Sequence, residues 1–127
     1  MRALLWPGDH ELEIGAHFDG GPATAAVFVV DLGDGRLGGF IEVGARAYAE
    51  GCDTSPVAYV EGWWVDEDLR RKGVGAALMR AGEAWARERG FAEIASDALI
   101  ENAVSLAAHR ALGFQEIERI VCFAKAL

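Results

Sequence analysis

Apolar residues recur with a helical period over residues 73–89. Val74, Ala77, Leu78, Ala81 and Trp85 share one stripe, and Gly90 stands where a left-handed residue would close the helix. Just before it, residues 57–65 form an almost unbroken apolar run broken by Glu61 and Gly62, the pattern of a strand covered on both faces. Upstream, the β-branched run 25–30 and the extended pattern of 37–47 flank turn residues at 31–36, which predicts a hairpin. Residues 48–56 carry Gly, Asp, Ser and Pro and read as a loop. Downstream, 91–97 reads as a strand, Asn102 as the N-cap of a helix ending near Leu112, Gly113 as its terminator, and 114–123 as a closing strand. At the start, residues 3–7 look like the end of a helix stopped by Pro7-Gly8. Residues 9–18, with Leu12 and Ala16 on one face and Asp9 as cap, read as a short amphipathic helix ended by Gly20-Gly21-Pro22.

Strand, helix, strand, helix, strand makes the second half α/β, attached to an antiparallel first half. With no internal repeat, low-complexity tract or linker, residues 1–127 are expected to form a single domain. A chain of this length buries roughly two thirds of its surface, enough for one core. No apolar run reaches the ~20 residues that span a bilayer, and the start Met-Arg-Ala-Leu-Leu-Trp-Pro is too short for a signal peptide, so no membrane role and a cytoplasmic location are expected. Cys52 and Cys122 lie far apart without a Cys-x-x-Cys spacing and are expected to stay reduced.

Charge changes this picture in one place. Twelve Lys and Arg against twenty Asp and Glu leave a net charge of −8, which repels nucleic acid and attracts cations. An anionic ligand therefore has to bind where the sign is locally reversed, and Arg70-Arg71-Lys72 is that place. These residues lead through Gly73-Val74-Gly75-Ala76 into the periodic helix. The first amides of a helix have no intrahelical partners and carry the positive end of its dipole, so a phosphate fits there. The chain has no Gly-x-x-x-x-Gly-Lys-Ser/Thr, and Leu78 occupies the third glycine position of a dinucleotide fingerprint, so neither of those loops is present.

What remains, Arg70-x-x-Gly73-x-Gly75, resembles the pyrophosphate loop of the GNAT N-acetyltransferase superfamily. A closer resemblance lies on top of it. Leu5-Trp6-Pro7-Gly8, Glu50-Gly51-Cys52-Asp53-Thr54-Ser55-Pro56, Glu61-Gly62, Ala95-Ser96-Asp97, Glu101-Asn102 and Leu112-Gly113-Phe114-Gln115-Glu116-Ile117-Glu118-Arg119 are similar to the aminoglycoside 6'-N-acetyltransferases. The resemblance implies the GNAT fold, a mixed central β-sheet flanked by helices, and acetyl-CoA as donor. Family members begin with a strand and a longer first helix ahead of the Leu-Trp-Pro-Gly motif. This chain begins almost at that motif, so an N-terminal edge strand is expected to be missing, with a partner subunit as one means of covering the edge. Homodimers are common in the family, and a homodimer is expected here.

Carried over by position, Arg70, Arg71, Lys72, Gly73, Val74, Gly75 and Ala76 would hold the pyrophosphate and Asn102 the pantetheine arm. Main-chain groups of Trp64 and Val65 would meet the pantetheine amides and the thioester oxygen, where a fixed donor stabilises the charge that develops. His109 stands where many members carry a Tyr that protonates the departing thiolate, and it retains a proton donor. Trp6 and Tyr48 are candidates to stack on sugar rings, and Asp53 to bind an amine.

Glu61 and Asp97 are the candidate acids. An unpaired carboxylate buried in an apolar strand costs several kcal/mol, so Glu61 is expected to face a wet functional cavity. Asp97 ends the next strand, where ligands of such sheets sit. A Glu near ~4.3 lies ~6 units below an alkyl-ammonium near ~10.4, so direct proton transfer is uphill by about 8 kcal/mol and the two acids are expected to orient the amine while water carries its proton. His10 and His17 with Asp9 and Glu13 form no compact ligand set, so no metal is expected. Neither cysteine has a base beside it, so transfer is expected to be direct. Two rival readings remain at this point: a GNAT enzyme for another small amine, a polyamine or a protein N-terminus, and a non-catalytic CoA-binding module.

Overall fold

Main-chain pairing follows the apolar runs. The computed structural model describes residues 3–5, 13–17, 25–33, 36–70 and 72–127, and divides into two units, Met1–Asp97 and Ala98–Leu127. The first unit holds a six-stranded sheet in sequential order: β1 (Ala3–Leu5), β2 (Glu13–His17), β3 (Ala26–Asp31), β4 (Leu37–Arg46), β5 (Val57–Val65) and β6 (Ile94–Ser96). Pairing is antiparallel from β1 to β5, and β5–β6 is parallel, with helix α1 (Val74–Glu88) as the crossover. The sheet is therefore mixed, as the α/β reading requires.

The hairpin of β3 and β4 and helix α1 match the expected elements closely. A Gly33 amide donates to Asp31 Oδ1 at 2.7 Å and tightens the hairpin turn. Gly90 closes α1 where the cap was expected, its amide bonded to Arg87 O and that of Phe91 to Ala86 O, both at 3.0 Å. The core lies between α1 and strands β3, β4 and β5, where Val30, Ile41, Val43, Val57, Val74, Leu78 and Met79 are fully buried. A Cβ at Gly82 would stand 3.0 Å from Val43 Cγ1 and 3.4 Å from Ile41 Cδ1, so glycine there lets α1 sit close on β4.

Four expectations change. The two N-terminal helices are strands β1 and β2, paired in turn onto β3 from Glu13↔Asp31 to His17↔Val27. One i,i+4 apolar pair cannot stabilise so short a helix, Ile14 and Gly15 disfavour it, and β3 offers an edge of unsatisfied main-chain groups. The edge of β3 is thus covered by this chain's own residues. Strand β5 is covered on both faces over Val57, Ala58, Tyr59 and Val60, whereas Glu61 and Trp64 are exposed. Strand β6 is shorter than the expected 91–97. Residues 114–127 belong to no ladder among the described residues: an extended apolar pattern becomes a strand only where an edge supplies hydrogen-bond partners.

In the second unit, α2 (Ala103–Ala111) begins as expected, with Asn102 Oδ1 accepting from the Ser105 amide at 3.1 Å. Glu116 accepts from Arg110 at 3.2 Å and also from Arg119. Beyond it Ile117, Ile120, Val121 and Phe123 are exposed.

Candidate active site

The parallel ladder of β5 and β6 runs through Ala58↔Ile94, Tyr59↔Ala95 and Val60↔Ser96 and there stops. Glu61 and Asp97 are the next residues of the two strands. The candidate acids thus stand one on each arm of the fork that opens at the C-terminal ends of a parallel pair, where ligands of open sheets bind. Past the fork, Trp63, Trp64 and Val65 pair with β4 alone. A bulge re-aims Glu61: Glu42 opposes Gly62 and Val43 opposes Val60, so Glu61 is the extra residue of β5.

Glu61 is exposed, and it is not a lone acid. Arg46 donates from Nε to Oε2 at 2.9 Å and from Nη2 to Oε1 at 2.7 Å. The same guanidinium lies 3.5 Å from the centroid of the Tyr59 ring, and Tyr59 OH donates to Asp97 Oδ2 at 2.6 Å. Tyr59 packs with Ala49 and Val57 in a small buried cluster that Cys52 and Ala95 extend. Burial first, and then the bond to Asp97, push its phenol well above the usual range, so it remains a donor and never a base at working pH. Sequence reasoning missed Arg46 and Tyr59. Strands at 37–47 and 57–65 joined by one loop are a signal for a β4–β5 pair, but the observed register is what puts Arg46 opposite Val57, two residues from Tyr59 on β5.

The basic loop follows β5 directly. A 3₁₀ turn, Glu67–Leu69, leads to Arg70, whose Nε donates to Val65 O at 3.0 Å, so the loop is tied to the strand end and that carbonyl is already engaged. Gly73 precedes α1 at φ 78, ψ 9, a left-handed conformation that glycine adopts without strain. Among the described residues no side chain caps α1, and its first turn holds no acid, in contrast to α2, whose Asn102 fills that role. The opening amides of α1 are therefore left for an anion, with exposed Lys72 beside them. Gly75 also lies against β5: a Cβ there would make ordinary contact with the Trp63 ring at 3.4 Å, and Trp63 Nε1 donates to Gly75 O at 3.2 Å. That bond ties the start of α1 to β5. Gly73→Val should lower CoA affinity about tenfold and the melting temperature by several degrees, because a branched residue at positive φ costs about 1–2 kcal/mol and moves the amides. Calorimetry with CoA and a thermal melt measure both.

These features agree with known proteins. Residues 5–114 match the acetyltransferase (GNAT) family. The chain belongs to that family. It is 45% identical over 132 residues to the aminoglycoside N(6')-acetyltransferase type 1 of Klebsiella aerogenes, covering 100% of this chain and 87% of that protein. The enzyme of the same name from Stenotrophomonas maltophilia is 43% identical, with 97% and 81% covered. Among solved structures, AAC(6')-Iy in complex with CoA aligns with TM-score 0.76 at 38% identity, over 82% of this chain and 78% of that one. The same enzyme with the bisubstrate analog CoA-S-monomethyl-acetylneamine aligns with TM-score 0.75 at 38% identity, over 82% and 71%.

As a GNAT N-acetyltransferase the protein draws its acetyl group from acetyl-CoA, and the uncapped, acid-free start of α1 fits the diphosphate of that donor. The other expected site residues are placed as follows. Val74 is buried and Ala76 half-buried in the first turn of α1; Trp64 is exposed on β5; Tyr48 and Asp53 are exposed in the loop 47–56. Trp6 and Arg71 lie outside the described residues, as do His10 and Asp9. In the GNAT chain's second unit, Asn102 spends its carbonyl oxygen on capping α2. His109 holds Nδ1 at 2.8 Å from Ser105 O and packs edge-on to Phe114. A carbonyl only accepts, so the proton of the neutral ring sits on Nδ1, and donation from Nε2 requires the imidazolium. Cys52 and Cys122 are free thiols. Burial foremost, then Glu93, raises the Cys52 thiol, which is the wrong direction for a nucleophile.

Glu93 braces the loop beside the fork: its Oε1 accepts from the amides of Asp53 at 2.9 Å and Thr54 at 2.8 Å and from Thr54 Oγ1 at 2.5 Å. The Thr54 hydroxyl chiefly, then the amides, hold its carboxyl below the usual range. A depressed carboxyl stabilises the fold fully above its unfolded value near ~4.3 and ceases to as pH falls through the lower folded value. Glu93→Gln should therefore melt below the parent at neutral pH, and the gap should narrow as pH falls below the unfolded value near ~4.3 and close once the lowered folded value is passed, where both side chains are uncharged.

Proposed function

We propose that the protein acetylates the 6'-amine of an aminoglycoside antibiotic, acting as one catalytic domain. The observation that carries this reading is the fork, where Glu61 and Asp97 follow the last β5–β6 pair in register and a polycationic acceptor would meet two carboxylates. Relatives at 45% and 43% identity that bear this activity in their names support it. So does the acidic balance of the chain, −8 overall.

Acetyl-CoA supplies an activated acetyl thioester. On this reading the opening amides of α1, with Arg70, Arg71 and Lys72, hold its diphosphate, and Asn102 and the main chain of Trp64 and Val65 hold its pantetheine. Beyond Val60 the edge of β5 that faced β6 has no strand partner among the described residues, and an extended arm adds to such an edge by main-chain hydrogen bonds. Glu61 and Asp97 orient the acceptor ammonium, and water carries its proton away, since both acids are far weaker bases than the amine. Tyr59 keeps Asp97 in place by its 2.6 Å bond. Tyr48, Trp6 and Asp53 contact the rest of the acceptor, and His109, as the imidazolium, protonates the departing thiolate. Homodimerisation belongs to this reading. A cytoplasmic setting goes with the donor.

Thiol release from acetyl-CoA tests the reading. Kanamycin or tobramycin, with a free 6'-amine, should support turnover, and an aminoglycoside bearing a 6'-hydroxyl should not. Turnover with other amines alone would replace the acceptor, and CoA binding without any turnover would replace the activity.

A further inference from the structure

Glu61 is poorly held by its own strand. It is the extra residue of the β5 bulge, outside the regular pairing with β4, and a glutamate is among the side chains with most rotamer freedom to lose. Among the described residues its hydrogen-bond partner is Arg46, which donates from Nε to Oε2 at 2.9 Å and from Nη2 to Oε1 at 2.7 Å. Two parallel bonds fix the plane of the carboxylate as well as its place, which a single contact does not do. Arg46 is itself anchored. It ends β4 opposite Val57, and its guanidinium lies over the Tyr59 ring, 3.5 Å from the centroid. That ring is buried, and its hydroxyl donates to Asp97 at 2.6 Å. One aromatic side chain thus connects with both acids of the fork, with Asp97 directly and with Glu61 through Arg46.

The Arg46–Glu61 pair adds little to the fold, because its side chains are 45% and 34% exposed and an ion pair this wet is worth little. Nor does it saturate Glu61. A carboxylate accepts about four hydrogen bonds, and Arg46 takes one on each oxygen. The outer lone pairs are left for an ammonium, which joins the pair without displacing the guanidinium. The Arg46 charge opposes any ammonium placed there, so what the residue contributes is geometry and not affinity.

We propose that Arg46 is a positioning residue for acetyl transfer: seated on Tyr59, it holds the Glu61 carboxylate in one orientation relative to Asp97, on the reading that these two acids receive the acceptor. A primary ammonium has three N–H bonds. Two donate to the fixed acids, the third proton leaves to water, and the lone pair that it uncovers is aimed where the thioester carbon is attacked as the bond to sulfur breaks. With Glu61 free to turn, the amine samples other orientations. Misplacing a reacting group by about 1 Å costs about a hundredfold in rate. Loss of Arg46 leaves Tyr59 and Asp97 in place, so a smaller loss is expected.

Single-turnover acetyl transfer, with enzyme in excess over acetyl-CoA and kanamycin varied, tests this. Arg46→Gln should lower the transfer rate constant about tenfold and keep the half-saturating kanamycin concentration within about threefold of the parent's. Its CoA affinity should stay within about twofold and its melting temperature within about 3 °C. Arg46→Lys keeps the charge without the two-pronged grip and should recover little of the lost rate. In a Glu61→Ala background no carboxylate is left to position, and there Arg46→Gln should change the rate by less than about twofold. Three results overturn the proposal: an equal loss in both backgrounds, which marks a merely structural Arg46; full recovery in Arg46→Lys, which marks a role of charge alone; and an unchanged rate constant in Arg46→Gln. Glu61→Ala separates the two levels: if it leaves transfer unaffected, the site reading fails, and if it impairs transfer while Arg46→Gln does not, only the role of Arg46 fails.

Discussion

Glu61→Gln should lower kcat/KM for kanamycin by about a hundredfold and leave CoA affinity within about a factor of two. The amide keeps the shape of the side chain and one acceptor oxygen but loses the charge that holds an ammonium, and a hydrogen bond to a charged partner in a partly exposed site is worth about 1.5–3 kcal/mol. The donor site is built from other parts, the uncapped start of α1 and the loop that Arg70 ties to Val65, so it should not register the change. Arg46 would lose its anion but remain on the Tyr59 ring, which limits any structural cost. Acceptor kinetics and CoA calorimetry on the same preparation decide the matter. Equal losses on both sides would mean that Glu61 is a structural strut, and no loss of turnover would remove it from the acceptor site.

Leu78→Ala should lower stability by about 3–4 kcal/mol and the melting temperature by about 12 °C or more. Leu78 is fully buried in the second turn of α1, and its Cδ1 stands 3.3 Å from where a Cβ on Gly39 would be. Truncation leaves a hole between α1 and β4 that neither rigid element can close. The same change loosens the helix whose first amides form the donor site, so CoA affinity measured well below the melting point should fall by up to about threefold. Leu99→Ala, at a position 70% exposed, is the control and should stay within about 0.5 kcal/mol of the parent. A Leu78→Ala protein that melts with the control would mean that α1 is not seated on the sheet as described.

Much of this was legible from residues alone because it is local. Helix α1 is written in one stripe and one terminal glycine, and α2 in Asn102 and Gly113. The donor loop is legible for the same reason: a helix start and three cations adjacent in sequence suffice for an anion site. The N-terminal strands were not legible, because Glu13–His17 carries too little pattern of its own and is made a strand by the edge of β3. Residues 114–123 erred the other way, carrying a strand pattern with no ladder to join among the described residues.

The acceptor site divides along the same line. By itself the sequence determined the class of chemistry: a family resemblance resting on scattered motifs, one cationic loop on an acidic chain, and two acids, one interrupting an apolar run and one ending the next. Only the tertiary structure decided that Glu61 is the bulged residue, that it and Asp97 follow the last pair of a parallel ladder, and that Arg46 reaches along β5 to neutralise one of them. The reason is physical. A helix start is made by neighbours in the chain, whereas a fork and an ion pair bridging residues 46 and 61 depend on register, which is set by how whole strands bury their faces against one another.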